Sequence, residues 1–62
     1  MAYVAVDKDG SEWIHDEYPE REIYSNYWIS SGDSVELPKG IIKKLIGRTL
    51  TWDDEPVELE EV

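Results

Sequence analysis

The 62-residue sequence has no cysteine, no phenylalanine, one histidine and one methionine. Without cysteine it has no disulfide framework, no thiolate metal site and no thiol nucleophile. A single histidine provides no imidazole pair at metal-ligand spacing, so neither a metal nor a cofactor is expected. Cations are scarce: six lysines and arginines stand against fifteen acids, leaving a net charge of −9. A field of that sign repels nucleic-acid phosphate and draws basic partners, so direct nucleic-acid binding is not expected. Long apolar runs are missing as well. The opening stretch meets an acid at Asp7 and lacks the basic start of a signal peptide. Nothing approaches the ~20 apolar residues of a membrane-spanning helix. A cytoplasmic protein without a membrane partner is the expectation.

The length allows one small domain, residues 1–62. A folded body of this size should expose roughly 4,100 Å² of the roughly 10,400 Å² of its extended chain. That leaves one thin layer of core and no mass for a large enclosed catalytic pocket.

Tyr3 to Val6 and Ser11 to His15 alternate as strands around Asp7-Lys8-Asp9-Gly10, a type I turn closed by a left-handed glycine. Taken literally, the turn pairs Val6 with Glu12, Ala5 with Trp13 and Val4 with Ile14. Val4, Val6 and Ile14 then share one face, and Tyr3, Ala5, Trp13 and His15 the other. Asp16 to Glu22, interrupted by Pro19, reads as a loop. Ile23 to Ser30 reads as a third strand, with a short helical turn around Tyr24 to Tyr27 as the alternative, and Val35-Glu36-Leu37 reads as a fourth strand. Pro38 is placed at the first turn of a helix reaching Ile46, with Ile41, Ile42, Leu45 and Ile46 on one stripe and Gly47 ending it. Leu50-Thr51-Trp52 reads as a fifth strand, and Val57-Glu58-Leu59 as an edge strand after an acidic turn. The fold class is α+β: an antiparallel sheet of four or five strands packed on one short helix near residues 38–46.

Residues 7–14 and 35–59 resemble short acidic proteins found in bacterial and prophage genomes. The likeness lies in Asp7-Lys8-Asp9-Gly10-Ser11-Glu12-Trp13-Ile14, in Val35 to Arg48, and in Leu50-Thr51-Trp52-Asp53-Asp54-Glu55-Pro56-Val57-Glu58-Leu59. It implies a bacterial, cytoplasmic setting and transfers no catalytic or binding residue.

The motifs that invite chemistry have plainer explanations. Asp7 to Glu12 suggests a calcium loop, but its glycine comes at the fourth position, not the sixth, and the twelfth is Tyr18. His15 has neighbouring acids but no nucleophile in its pattern, and reads as a surface histidine. Gly40 and Gly47 around Lys43 and Lys44 do not match a phosphate-binding loop. Lys39, Lys43, Lys44 and Arg48 read as a basic helix face that neutralises the acids from Asp53 to Glu61. No catalytic residue is assigned, and an enzyme is not expected.

Three tryptophans and four tyrosines remain. One helix can cover one face of the sheet, so rings on the other face stay partly open. Tyr3, Trp13, Tyr27 and Trp28 are the expected interaction surface, ringed by carboxylates that select a basic protein partner, or pairing with a second copy as a homodimer. The alternative is an inhibitor whose acids mimic nucleic-acid phosphates and occupy a DNA- or RNA-binding protein. A small enzyme built around His15 is the third.

Overall fold

The computed structural model describes residues 1–60; Glu61, placed by the sequence in the acidic tail, lies outside them. In chain order the elements are β1 (Ala2–Val6), β2 (Glu12–His15), β3 (Glu20–Glu22), β4 (Tyr27–Ile29), β5 (Ser34–Leu37), α1 (Ile41–Ile46) and β6 (Val57–Leu59). The class is α+β. Four antiparallel strands in the order β5-β2-β1-β6 form the main sheet, and β3 and β4 form a separate two-stranded ribbon.

The first hairpin has the register its turn dictates, with Val4 opposite Ile14 and Val6 opposite Glu12. Asp7 N–H donates to Ser11 O at 2.9 Å and Gly10 N–H to Asp7 O at 2.9 Å, while Gly10 sits at φ +91°. One face of the sheet meets the helix. Val4, Val6, Ile42 and Leu50 are buried there, with Ile14, Leu37, Ile46, Val57 and Leu59 packed around them. The accessible surface of 4392 Å² is close to what the chain length predicts.

Three local expectations are corrected. Ile23 to Ser30 is not one strand. Asn26 adopts the left-handed φ of 64° that asparagine tolerates, and its N–H returns to Glu22 O at 2.9 Å. The chain therefore reverses, and part of the expected loop, Glu20–Glu22, becomes the partner strand. Leu50-Thr51-Trp52 is not a strand either. Asp54 Oδ2 accepts Thr51 N–H at 2.8 Å, and Thr51 Oγ1 accepts Asp53 N–H at 3.3 Å, so local bonds replace a ladder.

The helix begins at Ile41, not at Pro38, because Gly40 stands at φ +93°, outside helical geometry. No side chain of the helix caps it. Instead Glu12, on β2, accepts Gly40 N–H at 2.7 Å and Ile42 N–H at 2.9 Å. At the other end Gly47 is left-handed, with its N–H on Lys43 O at 2.9 Å, as its position predicts. The six-residue helix centres its stripe on Ile42 and leaves Leu45 exposed.

Candidate functional site

On the second face of the main sheet, Tyr3 faces His15 and Ala5 faces Trp13, and across β2 His15 faces Ser34 and Trp13 faces Glu36 of β5. The β3–β4 ribbon crosses part of this face. Arg21 lies opposite Trp28, while Glu20 lies opposite Ile29 and Glu22 opposite Tyr27. Strand alternation therefore turns Arg21 and Trp28 inward and Glu20, Glu22, Tyr27 and Ile29 outward.

Trp28 is the plug. It is 5% exposed, its indole Nε1 donates to Val6 O at 2.8 Å, and its main-chain N–H donates to Asp7 Oδ1 at 2.9 Å. The Arg21 guanidinium lies 4.7 Å from the Trp28 ring centre and 5.4 Å from that of Trp52, and its Nη2 donates to Trp52 O at 3.0 Å. Arg21 also approaches Glu55 at 3.9 Å, the one ion pair among the described residues. No close ion pair joins a helix cation to a C-terminal acid among the described residues; Arg21 of the ribbon approaches Glu55 instead.

The four expected surface residues do not form one open face. Trp28 is buried, Tyr3 and Trp13 are half-buried, and only Tyr27 is exposed. Tyr3 is covered by Tyr18, edge to face at 5.2 Å. Among the described residues the open apolar side chains of this region are Tyr18, Ile23, Tyr24, Tyr27 and Ile29, with Tyr24 92% exposed. The alternation in Tyr27-Trp28-Ile29 could have revealed this, once Asn26 was read as a reversal.

His15 is 2% exposed, which corrects the surface histidine read from the sequence. Its Nδ1 lies 3.1 Å from Ser30 Oγ, and its buried Nε2 has no partner, like the buried Nε1 of Trp13. Burial holds the His15 pKa below its ordinary value, against the opposing pull of Asp7 and then Asp16. Burial pushes Asp7 up; the Trp28 N–H opposes that, while the charge of Asp9 adds to it. Asp7, Trp13, His15, Tyr27, Trp28 and Ser34 line a half-open depression of about 330 Å³. No cluster of three or more histidines and carboxylates is placed to hold a metal ion among the described residues. No helix there is long and apolar enough to cross a membrane.

No family model, curated protein or solved structure matches this chain at a significant level.

Proposed function

We propose that the protein is a non-catalytic interaction module whose contact surface is the outer side of the β3–β4 ribbon and its turn. The observation that carries this reading is the outward set Ile23, Tyr24, Tyr27 and Ile29, interleaved with Glu20 and Glu22. Exposed aromatic and branched side chains on a hairpin supply contact area at low entropic cost, and the carboxylates between them choose the sign of the partner. With a net charge of −9 behind it, the surface fits a basic polypeptide. The setting proposed is cytoplasmic. Relative to the sequence expectation, the proposed aromatic surface lies one layer further out, because Trp28 covers part of the sheet face beneath it.

The test compares the chain with a Tyr24→Ser/Tyr27→Ser/Ile29→Ser variant. Both are immobilised and exposed to host lysate at low and high salt, with the retained proteins quantified by mass. The reading expects basic proteins held by the parent chain and released by the variant. Equal retention by both chains overturns it. Sedimentation of both chains over a range of concentrations identifies a second copy as the occupant if only the parent dimerises.

A further inference from the structure

The ribbon covers the second sheet face incompletely. Beside Trp28 it leaves the depression lined by Asp7, Trp13, His15, Tyr27, Trp28 and Ser34. Three indole and phenol rings form its walls, and a carboxylate stands among them. Asp7 gives Oδ1 to the Trp28 N–H at 2.9 Å, and no bond among the described residues takes its Oδ2. Glu36 lies on the same sheet face, opposite Trp13, and its charge reaches Asp7. Aromatic walls with a carboxylate are the surroundings that attract an organic cation, through the ring quadrupoles and through direct charge.

Two further groups are left without partners. Trp13 Nε1 and His15 Nε2 are both buried and unbonded, which is costly unless something supplies the missing partner. In the tautomer whose Nδ1–H donates to Ser30 Oγ, Nε2 is an acceptor. The indole needs an acceptor, such as a main-chain carbonyl. The volume of about 330 Å³ is at the low end for ligand pockets and suits one side chain better than a whole cofactor. The depression borders β5, an edge of the main sheet. Asp16 N–H donates to Asp33 O at 3.0 Å, so the alternation of the ladder turns the Ser34 and Glu36 main-chain groups outward, where an extended segment could lie alongside.

We propose that this depression is a recognition pocket for a single lysine or arginine side chain of the partner, held by Asp7 against the rings of Trp13 and Tyr27, with Glu36 adding its charge from the same sheet face, while the Trp28 ring is already engaged by Arg21. The pocket rests on the reading of the protein as a binder of basic polypeptides and names the group it selects.

The test needs no partner. Nitrogen-15 correlation spectra of the intact chain are recorded with Nα-acetyl-arginine amide, with Nα-acetyl-lysine amide, with the neutral Nα-acetyl-citrulline amide, and with sodium chloride at matched ionic strength. One or both cationic probes should shift the Trp13 indole N–H saturably, and the citrulline probe and the salt should not. Which cation binds more tightly decides between guanidinium and ammonium. Asp7→Asn should weaken the binding roughly tenfold. Glu36→Gln, at an exposed site, should weaken it in the same direction. Equal shifts from citrulline or salt, or affinity unchanged in both variants, overturn the pocket. If the pocket fails while the ribbon variant still loses its basic partners, the interaction reading stands and only this inference falls.

Discussion

The indole Nε1 of Trp28 donates to the Val6 carbonyl at 2.8 Å, and the main-chain N–H of the same residue donates to the Asp7 side chain at 2.9 Å. One residue of the ribbon thereby satisfies two polar groups at the end of β1 and covers the sheet. Trp28→Phe keeps most of the ring but strands the Val6 carbonyl, so it should cost about 1–3 kcal/mol. Trp28→Ala adds a cavity and should cost about 3–5 kcal/mol, much of this chain's stability. Urea unfolding followed by circular dichroism measures both. Losses below about 0.5 kcal/mol for Trp28→Ala would mean that the ribbon does not seal this face.

Glu12 caps a helix from a strand distant in sequence. Removing the carboxylate should cost about 1–2 kcal/mol, since a charged acceptor of two helical N–H groups is lost. Amide exchange localises the effect: Glu12→Ala should speed exchange at Gly40 and Ile42 more than at the strand amides of β1. Uniform acceleration would mean that the cap contributes nothing specific.

The two buried titratable groups oppose each other in pH. The folded state resists protonation of His15, so stability should fall as pH drops from the ordinary 6.5 toward its lower folded pKa, then level off. Asp7 behaves oppositely: the folded state prefers its neutral form, so stability falls as pH rises from the ordinary 3.8 through its higher folded pKa. At neutral pH the ionised Asp7 is therefore a cost. Asp7→Asn, which retains an oxygen acceptor for the Trp28 N–H, should raise the melting temperature there and lose that advantage in acid. His15→Gln should flatten the fall in melting temperature between about pH 7.5 and about pH 5. Parallel pH profiles for the parent chain and His15→Gln would show that the imidazole is not the group titrating.

The two reversals differ in what they demand of the backbone. Gly10, at φ +91°, should lose about 1 kcal/mol on replacement by alanine, because a side chain is strained in that region. Asn26, at φ 64°, should accept glycine within about 0.5 kcal/mol. Thermal unfolding of the two variants tests the contrast. A larger loss for Asn26→Gly than for Gly10→Ala would contradict the turn geometry.

Local physics was legible in the sequence. Asp7 and Gly10 define a turn whose register follows from the alternation of side chains, and Val4, Val6 and Ile14 fall on the core face as a consequence. Gly47 ends the helix for an equally local reason. The excess of acids and the absence of cysteine were likewise plain from composition. What only the tertiary structure decided involves partners far apart in the chain. Glu12 reaching Gly40, Arg21 reaching Trp52, and Trp28 reaching Val6 are all invisible to periodicity, because no local spacing encodes them. Those contacts determine which rings are sealed and which face outward. A strand has two faces, and alternation separates them, but the choice of the buried one belongs to whatever packs against it.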